Sequence, residues 1–176
     1  MSTRRAQLRR VFPSLLAHEG VWQGEYRHLD AEGRLDDAHA AQVTCEFPAQ
    51  GEWAYVQHNL FRWPDGRERR LTLPGRLQGS KIVWDVETFS GQAWDGGGGV
   101  ILLQVLRKDE PGVHFVECIV ASDATTERAR TWHWFKDGRL IRRTMCHEHK
   151  VAASIPTRHR AASPADRPAR AADKLR

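Results

Sequence analysis

The chain has 176 residues, a length that suits one domain of roughly 100 to 200 residues and excludes a large multidomain assembly. Its 40% hydrophobic and 28% charged residues are ordinary globular usage, which excludes a wholly disordered, collagenous or membrane-embedded chain. The net charge of +5 belongs to the ends, since residues 1–14 carry +4 and residues 152–176 another +4, leaving −3 for residues 15–151. A basic isoelectric point confined to the termini is weak support for an electrostatic footprint, so a nucleic-acid partner is disfavoured. No apolar run approaches the roughly 18 residues that span a bilayer, and residues 1–10 lack the apolar core of a secretory signal. A soluble, cytoplasmic protein without membrane association is therefore expected. Cys45, Cys118 and Cys146 are scattered with no CxxC pair, which argues against a disulfide framework or a structural zinc site.

Residues 1–19 form a basic segment in which Leu8, Val11, Phe12, Leu15 and Leu16 recur at helical spacing, interrupted at Pro13; a short helix flanking or plugging the core is predicted. From residue 20 to 151 the recurring unit is a strand of about eight to ten residues followed by a Gly, Asp, Pro or Asn turn. Strands are predicted over 20–29, 38–47 and 53–63, the last stopped by Pro64-Asp65-Gly66, a strong turn signal. A fourth covers 67–73 and ends at Pro74-Gly75, a fifth covers 81–89, and a short sixth surrounds 92–94, before the flexible turn Gly96-Gly97-Gly98-Gly99. The seventh, 100–107, is apolar on both faces, as in a strand covered inside and out. The last three, 113–121, 126–136 and 139–151, include a hairpin at Asp137-Gly138, the strongest short-range hairpin signal. Residues 152–176, rich in Ala, Pro and Arg, cannot bury enough apolar surface to offset their ordering entropy and are expected to be a disordered basic tail.

About ten consecutive strands with links too short for crossover helices require an antiparallel, up-and-down, all-β arrangement. An open sheet of that size exposes two long edges, so closure into a barrel of about 8–10 strands is the expected remedy, with a β-sandwich as the alternative. Such a barrel leaves room for packed side chains or one small ligand.

Gly20-Val21-Trp22, just after the helical lead-in, resembles the Gly-x-Trp opening of the lipocalin and calycin barrels. That resemblance implies a glycine passing close beneath the barrel floor and an indole closing that end, with a basic side chain from the end of the last strand over the indole. Here that strand end holds His147, Glu148, His149 and Lys150, while Arg142 and Arg143 sit mid-strand. Residues 19–27, Thr131-Trp132-His133-Trp134-Phe135 and Arg142-Arg143-Thr144 resemble an uncharacterised bacterial and cyanobacterial lipocalin-like family of unknown function. That family is similar in fold to the phycobiliprotein lyases, which hold a bilin, and more distantly to nitrobindin, which holds haem. The resemblance implies a fold; function belongs to the site.

Strand alternation predicts that Trp22, Gly24, Tyr26 and His28 share one face, as do Trp53, Tyr55, Gln57, Asn59, Phe61 and Trp63 on the third strand. Aromatic bodies interleaved with amides suit a planar, partly polar ligand, and equally an amphipathic core strand. In the ninth strand either the Trp132 and Trp134 face or the His133 face is able to line a cavity, with the His133 side slightly favoured. His147 and His149 lie two apart on one face but lack a third ligand, so no metal site is expected. His28, His39, His58 and His114 are scattered, and the sequence does not say which converge. Glu117, set among apolar residues, either pairs with an arginine (Arg128, Arg130, Arg142 or Arg143) or has a raised pKa suited to proton transfer.

No Walker loop, dinucleotide fingerprint, Gly-x-Ser-x-Gly elbow or His-Glu-x-x-His helix is present, which disfavours nucleotide hydrolysis, nicotinamide chemistry and common hydrolase arrangements. The leading expectation is a lipocalin-like binding protein for an apolar or aromatic small molecule inside the barrel. Its candidate ligand-binding residues are Tyr26, His28, Tyr55, Gln57, Asn59, Trp132, His133 and Arg143. The alternative is a pocket-templated enzyme, an isomerase, cyclase or chromophore lyase, with His133 and Glu117 as acid–base candidates. The sequence assigns no cofactor and no oligomeric state.

Overall fold

The computed structural model describes residues 3–122, 124 and 126–153. Two short helices, α1 (Thr3–Val11) and α2 (Pro13–Ala17), lead into β1 (Gly20–Asp30), β2 (Leu35–Glu46), β3 (Tyr55–Arg62), β4 (Glu68–Gln78) and β5 (Lys81–Asp85). The chain continues through β6 (Phe89–Gly97), β7 (Val100–Arg107), β8 (Val113–Ala121), β9 (Glu127–Lys136) and β10 (Arg139–Ala152). Each strand pairs antiparallel with its neighbours in sequence, and β1 also pairs with β10 in antiparallel register, so the sheet is a closed barrel rather than a sandwich. Closure removes the sheet edges. The tail expected over residues 152–176 lies, from residue 154 onward, outside the described residues.

The turn chemistry behaves as the residues demand. Asp137 and Gly138, at φ 49° and 78°, both occupy the left-handed region that a two-residue hairpin requires. Between β3 and β4 the Gly66 N–H donates to the Trp63 carbonyl at 3.1 Å, closing the Pro64-Asp65 turn. Pro74-Gly75, in contrast, is not a turn. β4 runs through it, with Pro74 opposite Val56 and Gly75 opposite Tyr55. Glycine stands there because a Cβ would come within 2.5 Å of Ile82 Cγ2 and 3.0 Å of Trp84 Nε1. The fifth strand is also shorter than its residues suggest: β5 stops at Asp85, and Phe89 already belongs to β6. Its backbone turns early, with the Val86 N–H bonded to the Phe89 carbonyl at 2.9 Å.

The two ends of the barrel differ. At the end where β1 begins, α1 and α2 act as a plug. Leu8, Phe12 and Leu15 are buried there and pack in one cluster with Trp22, Val43, Ile82 and Ile101. Pro13 opens α2 at its first turn, where its missing N–H costs nothing. Polar ties fix the plug to the barrel: Arg5 to Glu19 (Nη2–Oε2 2.5 Å), the Arg4 guanidinium to the Trp53 carbonyl (2.8 Å), and the Ser14 N–H to Asp95 (3.0 Å). Gly20, at φ 124°, passes so close to β10 that a Cβ would lie 2.4 Å from the Ala152 carbonyl oxygen. The opposite end, where β1 meets β2, carries no such cover among the described residues.

Candidate functional site

Alternation places Arg128, Arg130, Trp132 and Trp134 of β9 on the lumen side, in register with lumen-facing Thr144, Cys146 and Glu148 of β10. Four charges meet at mid-barrel. Glu148, fully buried, accepts from the Arg128 guanidinium Nε and from Tyr26 Oη (3.2 Å), and lies 3.5 Å from Arg130. Arg130 also donates to Glu117 (2.7 Å) and to Tyr26 Oη (2.7 Å). The quartet is formally neutral, which is what allows charge so far from water. Its carboxylates are driven apart. Burial pushes Glu117 above the usual carboxylate range against the pull of Arg130, whereas at Glu148 the same effect is overcome by Arg128 and Arg130, which hold it below that range. Burial, reinforced by the Arg128 charge, holds His18 well below its ordinary value. His18 is therefore neutral, and its Nδ1 accepts from Arg128 at 3.0 Å.

The same strands close the floor around Trp22. Its indole N–H donates to the His18 carbonyl (2.8 Å), the Arg128 guanidinium lies 4.3 Å from its ring centroid and Lys150 Nζ 4.8 Å. The cation over the indole therefore comes from Arg128 of β9 and from Lys150 near the end of β10, not from Arg142 or Arg143. Beside it, Tyr55, Gln57 and Asn59 form a buried ladder along β3, Tyr55 Oη donating to Gln57 (2.8 Å) and Gln57 Nε2 to Asn59 (2.8 Å).

Above this floor the lumen-facing side chains are less fully buried. Phe61, Trp63, Leu71, Phe89, Phe115 and Trp134 fall on the lumen side, yet each is only half-buried, in contrast to the dry plug at the other end. His28, Asp37 and His39 stand at the same mouth. His28 is the cross-strand partner of Asp37, and His39 that of Tyr26. His39 lies against Trp63 with ring centroids 4.4 Å apart, Asp37 accepts from Trp63 Nε1 at 3.0 Å, and His39 Nδ1 is 2.9 Å from Asp37 Oδ2. Burial would raise the Asp37 carboxyl, but the hydrogen bonds from His39 and Trp63 hold it below the ordinary value. His28 Nδ1 is 2.7 Å from Thr144 Oγ1, and that hydroxyl oxygen accepts from Trp134 Nε1 at 2.9 Å. Burial first, then the charges of His39 and Arg142, lower the His28 pKa to about 4, so its ring is neutral at pH 7.

Of the candidate residues, Tyr26, Tyr55, Gln57, Asn59 and Trp132 are lumen-facing and buried, and His28 is lumen-facing at the mouth. His133 and Arg143 are corrections. Inward pairing of Arg128 and Arg130 with Glu148 and Glu117 fixes which face of β9 turns inside, and this puts His133 on the exposed outer face. Arg143 is the register partner of His133, and its guanidinium reaches the Ala31 carbonyl in the β1–β2 turn at 3.3 Å. The pairing of His133 with Glu117 as acid and base therefore does not form. His147 and His149 are likewise exposed, with Glu148 between them turned inward. Asp37 and Thr144 were not among the candidates; the alternation Asp37-x-His39-x-Ala41-x-Val43 of β2 is the signal that places Asp37 inside. Two open depressions on the outer surface, of about 280 Å³ beside Val11, Lys81 and Trp94 and about 410 Å³ along β5 to β7, do not include the His28–His39 cluster. No helix among the described residues is long and apolar enough to cross a membrane.

No protein-family profile matches the chain, and no curated protein matches it. Among solved structures, a protein of unknown function of the DUF3598 family from Nostoc punctiforme superposes on 78% of this chain with a TM-score of 0.61 and 19% identity. The match covers 49% of that protein, so this chain spans about half its length. Rv2717c from M. tuberculosis superposes on 80% of the chain and 96% of its own, with a TM-score of 0.58 and 14% identity. These likenesses show a shared barrel fold, consistent with a lipocalin-like one. A redesigned β-barrel bound to DFHBI also overlaps, at a TM-score of 0.41, too loose a likeness to bear on function.

Proposed function

We propose that the chain is a binding protein for a planar, partly polar small molecule held in the open half of the barrel. The observation that carries this reading is the asymmetry of the lumen. Phe61, Trp63, Phe115 and Trp134 point inward but remain half-buried, while Trp22, Val43, Ile82 and Ile101 at the plugged end are sealed. Inward-facing aromatic groups that still meet solvent are what an apolar ligand would cover, and the few polar groups among them would orient it. His28 and His39 supply ring nitrogens at the mouth, and the Glu117–Arg130–Glu148–Arg128 quartet forms a rigid floor that stops the ligand short of Trp22. Tyr26 and Trp132, at mid-height with ring centroids 5.2 Å apart, sit at that floor. Tyr55, Gln57 and Asn59 lie deeper and satisfy one another, so they support the wall rather than touch the ligand.

A second reading, proton transfer within the lumen, is favoured by one observation: Glu117 and Glu148 have pKa values driven in opposite directions in one buried cluster, a pattern that separates an acid from a base. Native mass spectrometry of freshly isolated protein, with fluorescence titration of planar aromatic compounds, tests the first reading. One bound organic molecule per chain is expected, weakened at least tenfold by Phe61→Arg and unchanged by His133→Ala. Binding that ignores Phe61→Arg, or that depends on His133, would count against it.

A further inference from the structure

Three donor side chains at the open end, two of which the ligand reading also draws on, have a geometry of their own. His28, Asp37 and His39 project from the adjacent strands β1 and β2, and one potential ligand atom of each lies within 4.8 Å of the others. Both imidazoles are anchored through Nδ1, His39 by Asp37 Oδ2 at 2.9 Å and His28 by Thr144 Oγ1 at 2.7 Å. The anchors are themselves held: Trp63 Nε1 donates to Asp37 and Trp134 Nε1 to Thr144. A histidine that gives its Nδ1–H to a carboxylate or hydroxyl presents Nε2 as its remaining lone pair, in a fixed orientation. This outer-shell support is what metal-binding histidines have. The cluster stands at the half-exposed mouth, so an ion would not have to cross the packed core.

We propose that His28 and His39 bind one divalent transition-metal ion of the zinc, cobalt or nickel class through their Nε2 atoms, with Asp37 as the carboxylate that orients His39. Imidazole nitrogens suit these ions, and the remaining coordination positions are left for water or an exogenous donor. With metal–nitrogen bonds of about 2.0–2.1 Å, tetrahedral ligand atoms sit about 3.4 Å apart. The His28 and His39 rings lie beside one another, with centroids 5.2 Å apart. The surrounding charge is mixed: Arg142 opposes a cation at His28 while Asp37 and Asp36 favour one, and Arg142 is itself paired with Asp36 at 2.8 Å. Binding of the ion does not require a small molecule in the lumen, so its test is separate from that of the ligand reading, although both draw on His28 and His39.

The test is titration of the full chain with Co²⁺, followed by its visible ligand-field absorption, and with Zn²⁺ in competition with a chromophoric chelator. One equivalent is expected, with intense bands of low-symmetry cobalt. His28→Gln and His39→Gln should each weaken binding at least tenfold, and Asp37→Asn by roughly 10–100-fold. His147→Gln with His149→Gln, the exposed pair on β10, should leave it unchanged. Circular dichroism of each variant verifies its fold; if His39→Gln unfolds, His28→Gln at the half-exposed mouth carries the comparison. Absence of cobalt bands in the wild type, binding that survives His28→Gln, or binding lost only with His147 and His149 overturns the assignment.

Discussion

Glu148→Gln removes the carboxylate shared by Arg128, Arg130 and Tyr26 at a site with no solvent exposure. Glutamine keeps one acceptor oxygen and almost the same volume, so the change is mainly one of charge: the neutral quartet becomes a buried +1. Removing one partner of a buried pair costs about 3–5 kcal/mol, because the arginines left behind are uncompensated. At about 2–4 °C per kcal/mol for a chain of this size, the melting temperature should fall by roughly 6–20 °C. Urea denaturation monitored by far-UV circular dichroism measures the same loss at fixed temperature. The pH dependence has a definite sign. Because its folded pKa is lowered, the Glu148 contribution is fully present above the unfolded value and disappears as pH falls through the folded one, so the variant should lose this acid limb. Replacing the pair together, Arg128→Met with Glu148→Leu, should recover much of the stability, since apolar substitutes of similar volume are often neutral. A Glu148→Gln loss below about 1 kcal/mol would refute the view that the quartet is a desolvated, mutually dependent floor.

Further outcomes are expected. His18 has a depressed folded pKa, so stability should decline as pH falls below about 6.5, approaching 1.36 kcal/mol per pH unit for this one proton, and His18→Gln should flatten that slope in equilibrium unfolding. Gly20→Ala places a Cβ against the Ala152 carbonyl at a backbone angle that L-residues resist; a destabilisation of about 2 kcal/mol or more should register in thermal melts. His133→Ala, on the outer face, should shift stability by no more than about 0.5 kcal/mol, and a larger effect would contradict the facing assigned to β9.

The strands were readable because their ends carry turn chemistry: Pro64-Asp65-Gly66 and Asp137-Gly138 act locally and need no tertiary partner. Pro74-Gly75 misled for the same reason. It has turn composition, but Gly75 is there for the close approach of Ile82 and Trp84, a contact that no local pattern encodes. The faces of β1 and β3 followed from alternation, because Trp22 and Tyr55 each anchor a clear inward row. β9 offered no such contrast. Both its faces carry large side chains, and the choice was made by ion pairs to Glu117 on β8 and Glu148 on β10, partners brought together only by the sheet. Glu148 was hidden by position, since an acid between His147 and His149 reads as surface until its neighbours in space are known. Likewise the cation over Trp22 is shared by Arg128 and Lys150, one of them a strand away from where the barrel resemblance implies it.

The indole N–H resonances offer the most direct measurement of whether the open half is a binding chamber. Tryptophans are spread across the barrel, with Trp63 and Trp134 at the mouth, Trp132 at the floor and Trp22 beneath it. Titrating a planar aromatic compound into ¹⁵N-labelled protein should shift Trp63 and Trp134 saturably and leave Trp22 in place. Shifts confined to Trp94, beside the outer depression, or no saturable shift with any compound, would contradict the account.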